Sequence, residues 1–261
     1  MTWPFVAALH DHDELASTSD LARQMVQDPA ATLPFAVRAR RQTRGRGRGQ
    51  NAWWSDDGSL CVTLALDPAA LGLTTSHEPR LALALAVATV DALEGLHALT
   101  PPLGVRWPND VEAGDKKLAG VLPERVETPD GVRILIGVGI NVLTRLDQAP
   151  AEVRAMTGSV AGLIAEGRPT PGLDEVLHAL LTNLETVIPR LAHDDPTLAA
   201  RWTALDTLRG HSVRIDLGTS VLTGVGAGID PDGALLVATD RGLVRVFGGQ
   251  VLRNVPGLTR D

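Results

Sequence analysis

Between Gly104 and Val142 three short apolar runs follow one another with no room for a helix between them. Gly104 to Trp107, Lys117 to Leu122 and Val132 to Val142 read as strands. The pieces between them, Asn109 to Lys116 and Glu127 to Gly131, are turn-rich and short enough for hairpins. Upstream, Leu60, Val62, Leu64 and Leu66 alternate with Cys61, Thr63 and Ala65, the period of a strand. Ser17-Thr18-Ser19-Asp20 precedes Leu21 to Met25 as a capped helix start. Pro79 opens an alanine- and leucine-rich helix that runs to about Leu96, and Asp174 caps a helix carrying Val176, Leu177, Leu180, Leu181, Leu184 and Ile188. The expected fold class is α+β: a mixed β-sheet with helices packed on one side.

From His211 the texture changes. Val213/Ile215/Leu217, Val221/Thr223/Val225, Leu235/Val237 and Val244/Val246 are short alternating strands, and Asp230-Pro231-Asp232-Gly233 is a turn in which proline presets φ and glycine accepts a positive one. A small β-barrel is expected over residues 209–261, following a larger domain over residues 1–208.

Aromatic residues make up 3% of the chain and tyrosine is absent, so a core drawn from the 44% of hydrophobic residues must be aliphatic. The net charge of −7 opposes general binding to nucleic acid or to an anionic membrane. Cys61 is the single cysteine, which excludes an internal disulfide and a multi-cysteine metal site. The longest apolar run, Leu81 to Val90, is about half the length of a membrane span. No basic signal-peptide region precedes Asp11 and Asp13, and a cytoplasmic protein is expected.

Four segments carry chemistry. In Arg38 to Gln50, six of the chain's 24 Lys+Arg residues fall within eleven positions and alternate with glycines toward the end. Such a loop brings backbone N–H groups and guanidinium forks close to a phosphate or carboxylate; an RNA-contacting basic loop is the alternative. It is neither a Walker A loop nor a dinucleotide fingerprint. Arg106-Trp107-Pro108-Asn109-Asp110 offers an amide and a carboxylate able to hold Mg²⁺ or a ribose, or is simply a turn ending a strand. Lys117 stands at the head of an apolar strand, where an ammonium needs a compensating anion, and Ala119 and Gly120 beside it leave room for a ligand. Ile134 to Val142 is a buried strand whose glycines allow close approach and which ends on Asn141.

Gln42-Thr43-Arg44-Gly45-Arg46-Gly47-Arg48 with Trp53, Arg106-Trp107-Pro108-Asn109-Asp110, Lys117-Leu118-Ala119-Gly120-Val121-Leu122 and Gly137-Val138-Gly139-Ile140-Asn141-Val142, in this order, resemble the signature blocks of biotin protein ligases. Ser17-Thr18 matches an earlier block, and the resemblance runs from Leu15 into the terminal barrel. It implies the class II synthetase-like biotin ligase fold, a seven-stranded mixed sheet with helices followed by an SH3-like barrel. It also implies a monofunctional ligase without the DNA-binding domain that some members carry. The activity implied is ATP-dependent formation of biotinyl-5'-AMP and transfer of biotin to a lysine of a biotin carboxyl carrier protein. The substrates are then biotin and ATP, with Mg²⁺.

By the same resemblance Ser17, Thr18 and Gln42 hydrogen-bond the ureido head of biotin, and Ser19 and Gly120 also belong to the biotin-binding residues. Arg46, Gly47 and Arg48 lie over the biotin carboxylate and the α-phosphate, and Lys117 bridges the two; Lys117 and Arg48 are the catalytic pair. Trp53, Asn109 and Asn141 surround adenine, and Asp110 lies near Mg²⁺ or the phosphates. Three departures from the family pattern stand out: Gln50-Asn51 replaces a Gly-Arg pair, Ser19 replaces a frequent asparagine, and Pro123 is expected to end its strand early. A lipoate- or octanoate-transferring relative is the competing enzyme, which the Trp-Pro-Asn-Asp block disfavours. The residues decide neither for a monomer nor for a homodimer.

Overall fold

The structure is a computed structural model and describes residues 2–253. Strand β1 (Ala8–Leu15) leads through helix α1 (Thr18–Met25) to strand β2 (Phe35–Gln42), which lies parallel to β1. Strand β3 (Ser59–Leu66) and helix α2 (Glu78–Leu96) follow, then strands β4 (Leu103–Arg106), β5 (Asp110–Ala113), β6 (Lys116–Thr128) and β7 (Gly131–Asn141). Helices α3 (Ala151–Met156), α4 (Leu173–Ala192) and α5 (Pro196–Ala204) precede strands β8 (Ser212–Asp216), β9 (Val221–Ile229), β10 (Leu235–Thr239), β11 (Gly242–Val246) and β12 (Gln250–Val251). The first seven strands form one mixed sheet in the order β1-β2-β3-β7-β6-β5-β4. The last five form an antiparallel sheet in the order β11-β10-β9-β8-β12, the small β unit expected at this end of the chain.

The hairpins expected between Gly104 and Val142 are present, with a fourth strand among them. Asn109 to Lys116 is not all turn: β5 occupies its middle and pairs with both β4 and β6, leaving Gly114-Asp115 as the reversal, with Gly114 at φ +58°. Glu112 disguised this strand. Its carboxylate is buried between Val111 and Ala113 because Thr207 and Arg253 bond it, at 2.6 and 2.8 Å.

Pro123 does not end β6, which pairs with β7 as far as Thr128. Val121 donates its N–H to Asn109 on the β5 side. The nitrogen of Pro123, two residues on, faces that same side, where β6 has run past the end of β5 and no partner strand needs a donor.

The sheet is covered on both faces, where one had been expected. Phe35, Val37, Ala65, Val126 and Leu135 pack with Ala22 of α1. The alternate residues Ala36, Leu64, Leu66 and Ile136 join the core built on α2 and α4. Every residue of β3 is therefore buried. At about 25 cal/mol per Å² of apolar surface, this two-sided burial is the principal stabilising term. Because α1 is only eight residues long, it covers part of its face and leaves the rest of the sheet open to a ligand. The apolar positions read for α4 are all buried, but Gly172 takes the cap position; Asp174, in the first turn, meets Arg38 instead.

Two tryptophans fasten the second sheet to the first unit. Trp107 Nε1 donates to Gly233 O at 3.0 Å and Trp202 Nε1 to Asp230 O at 3.3 Å. Both acceptors lie in the Asp230–Gly233 turn, where Gly233 holds φ +85° against Pro79 and Arg80.

Candidate active site

The open part of the α1 face is a trough floored by glycine. Register across four strands sets Cys61, Gly139, Gly120 and Asp110 side by side, and Thr63 opposite Gly137 one step along. A methyl group on Gly139 would lie 2.4 Å from Trp53 Cε2, and one on Gly120 3.4 Å from Trp53 Cζ3. The indole of Trp53 thus rests directly on the floor. Its buried Nε1 has no hydrogen-bond partner among the described residues. Two cavities, of about 380 and 1100 Å³, open elsewhere, and neither includes this trough, which the indole fills.

At one end of the trough stand hydroxyls and an amide. Ser17, Thr18, Ser19 and Thr63 are all buried. The N–H of Thr18 donates to Gln42 Oε1 at 2.8 Å, and its Oγ1 donates to the same atom at 3.2 Å. Ser17 Oγ, 2% exposed, has no partner among the described residues. Cys61 lies between this group and the indole, and burial pushes its thiol up to about 11. It is a neutral wall, not a nucleophile.

At the other end charge accumulates. Lys117 Nζ lies 2.6 Å from Asp110 Oδ1 and 5.5 Å from the centre of the Trp53 ring. Arg253 lies 3.9 Å from Asp110 and 2.8 Å from Glu112. Burial lowers the guanidinium of Arg106, and so does its neighbour Arg253, against the pull of Glu112 and Asp110. Arg48, half-buried, donates to Gly249 O of the second sheet at 2.5 Å; burial lowers it too, against the opposing field of Asp110. Four cations therefore surround two carboxylates, and the surplus positive charge suits a polyanion.

The expected basic loop is shorter than it reads in sequence. Arg38 to Gln42 belong to β2, and Arg38 is held there by Asp11 and Asp174. The loop proper carries Arg44, Arg46 and Arg48 and closes on itself, with Trp53 N–H donating to Gly45 O at 2.9 Å and Gly47 N–H to Asn51 O at 2.8 Å. Arg46 binds Asp20 at 3.0 Å and also Glu124, which fixes the loop to α1 and β6. Gly47 thus faces Asn51, one of the two residues that depart from the family pattern.

Lys117, Arg48, Asp110, Gly120 and Trp53 come together at the trough, as do Ser17, Thr18 and Gln42. Ser19 turns its hydroxyl to Thr63 at 3.1 Å. Asn109 spends its amide on Val121 O at 2.7 Å, bracing the turn, and Asn141 lies buried at the end of β7 beside Thr144. Thr63 and Arg253 border the site without having been singled out, and Arg106, read only as part of its motif, joins them. Thr63 was legible as a hydroxyl in an aliphatic strand; Arg253 left no local signal, since it reaches Asp110 from 143 positions away.

Asp110 pairs with Lys117 and Glu112 with Arg253, and no cluster of three or more metal-ligating side chains occurs among the described residues. A Mg²⁺ carried by a nucleotide needs only one or two protein carboxylates, and Asp110, with Glu112 beside it, would be the one to meet it.

A sequence profile of the Biotin/lipoate A/B protein ligase family matches residues 15–141. The biotin–[acetyl-CoA-carboxylase] ligase of Mycobacterium tuberculosis is 32% identical over 216 residues, 82% of this chain and 77% of that protein. The bifunctional ligase/repressor BirA of Bacillus subtilis is 29% identical over 242 residues, 92% of this chain and 72% of that protein. The biotin protein ligase of Aquifex aeolicus, solved with biotin and ATP, superposes with a TM-score of 0.78 at 25% identity, covering 94% of this chain and 98% of that one. With a relative above 30% identity matched along most of its length, the chain belongs to the biotin protein ligase family and is an enzyme of the ligase class.

Proposed function

We propose that this enzyme joins biotin to AMP at the expense of ATP and then transfers the biotinyl group to a lysine of a biotin carboxyl carrier protein. One observation supports the reading above the others: a glycine-floored trough with a neutral hydrogen-bonding group at one end and a surplus of cations at the other. Biotin has the matching polarity, with a cyclic urea at one end, an apolar body and a carboxylate at the far end.

The chemistry follows from that arrangement. A carboxylate and an α-phosphate repel each other, and Lys117 and Arg48 offset the repulsion where they meet. The carboxylate oxygen attacks phosphorus, a C–O–P bond forms, and pyrophosphate leaves. Arg106 and Arg253 flank the same carboxylates and would hold the departing phosphates. The neutral amine of the carrier lysine then attacks the acyl carbon, an amide forms and AMP departs. The protein supplies no covalent nucleophile, in keeping with the protonated Cys61 thiol. Asp110 would meet a magnesium ion bound to the nucleotide, which would screen the phosphate charge.

No helix among the described residues is long and apolar enough to cross a membrane. The test is incubation with ATP, Mg²⁺, a carrier domain, and either biotin or lipoate, followed by mass spectrometry of the carrier. A mass increase with biotin alone is expected; an increase with lipoate alone, or with neither, overturns the assignment.

A further inference from the structure

Thr63 is the one hydroxyl-bearing residue inside the aliphatic run Leu60–Leu66 and is fully buried. Its Oγ1 lies 2.8 Å from Thr18 Oγ1 and 3.1 Å from Ser19 Oγ. The absent side chain of Gly137 makes room for this contact, since a methyl group there would stand 3.2 Å from Ser19 Oγ.

The direction of each hydrogen bond can be assigned from the one group that cannot reverse. A backbone N–H only donates, so the N–H of Thr18 requires that the oxygen of the Gln42 amide face it. Gln42 Nε2 is then the end left for the pocket. The single proton of the Thr18 hydroxyl goes to the same Gln42 oxygen. Toward Thr63, Thr18 can therefore only accept, and Thr63 must donate. With its own proton spent, Thr63 accepts from Ser19. The chain runs Ser19 to Thr63 to Thr18 to Gln42, in one direction.

We propose that Thr63 is a positioning residue that holds the Thr18 hydroxyl in place at the head-group pocket. The bonds to Gln42 fix which way the Thr18 hydroxyl points; Thr63 occupies one of its two lone pairs and leaves the other as an acceptor beside the Gln42 amide donor. A cyclic urea carries the complement, an N–H donor next to a C=O acceptor. Ser17 Oγ, buried and without a partner among the described residues, completes the set. This inference rests on the biotin reading and adds a residue that holds its head-group pocket in shape.

The test compares wild type with Thr63→Val, which keeps the shape and removes the hydroxyl, and with Thr63→Ser, which restores it. Steady-state KM for biotin, KM for ATP and kcat are measured. Thermal melts establish that each variant is folded, and Thr63→Ala replaces Thr63→Val if the latter does not fold. The expected result is a rise of about ten-fold in KM for biotin in Thr63→Val, the effect of about one hydrogen bond. KM for ATP and kcat should stay within about two-fold, and Thr63→Ser should restore KM for biotin. An unchanged KM for biotin in Thr63→Val overturns the proposal, and so does a raised KM that Thr63→Ser does not restore, which is what loss of packing alone produces. If wild type forms no biotinyl-adenylate, the biotin reading itself has failed, an outcome that the variants cannot mimic.

Discussion

Lys117 shows how much a single side chain depends on its neighbours. An ammonium at a buried strand end requires an anion, and Asp110 supplies it at 2.6 Å until a ligand's own negative charges compete. Lys117→Ala should lower biotin-dependent ATP–pyrophosphate exchange by roughly 10²–10³-fold, the range found when a group stabilising transition-state charge is removed; exchange within a few-fold of wild type would exclude it from the reaction. Cys61 supplies a second prediction. Its folded-state thiol is raised from 9.0 to about 11, so the folded protein keeps a proton that the unfolded chain loses first. The resulting stability is present below pH 9 and is lost as the pH rises to 11, an amount of about 3 kcal/mol. Few other groups titrate there, because the chain has no tyrosine and two lysines. The denaturation midpoint should fall more steeply between pH 9 and 11 in wild type than in Cys61→Ala, and parallel curves would refute the assignment.

Among the elements, the loop from Thr43 to Gly58 bears most directly on function. It is tied down by Arg46 to Asp20 and Glu124 and by Arg48 to Gly249, and it delivers Trp53 to the glycine floor. The glycine content and the exposed Arg44 and Arg46 predict cleavage by trypsin after these two residues without ligand. Biotin plus ATP should protect these bonds by several-fold, and equal digestion rates would show that the loop does not respond to the adenylate. Arg48→Gly should speed release of the adenylate more than it slows its formation, since it removes one charge-assisted contact of about 1.5–3 kcal/mol; trapping radiolabelled adenylate on a filter separates the two. Periodicity made β3, β6, β7, α2 and α4 legible because each carries an unbroken apolar pattern. It missed β5, where a buried glutamate breaks the pattern, and it ran β2 into the loop, because the three arginines on β2 resemble the three that follow.

At the scale of the whole molecule, the terminal sheet is a working part of the site. Its core residues Val213, Ile215, Leu235 and Val237 belong to the same apolar cluster as α2 and α4; Gly249, just before β12, accepts from Arg48, and Arg253, just after it, reaches Asp110. Trp107→Phe deletes the donor to Gly233 O and should lower stability by about 1–2 kcal/mol, a fall of a few degrees in Tm. It should also weaken ATP more than biotin, because the phosphate-facing end is the one this sheet helps to build. Equal effects on both substrates would separate the sheet from the nucleotide.

Local chemistry alone made β3, β7, α2 and α4 readable, because each depends on the spacing of nearby residues, while the ligand roles expected of the four blocks came from their resemblance to biotin protein ligases. Which blocks share a floor depended on register: only pairing of β3, β7, β6 and β5 aligns Cys61, Gly139, Gly120 and Asp110. The second covered face, the direction of the Thr63 hydrogen bonds and the reach of Arg253 were likewise decided in three dimensions. Each arises from residues far apart in the chain, whose contacts no local period encodes.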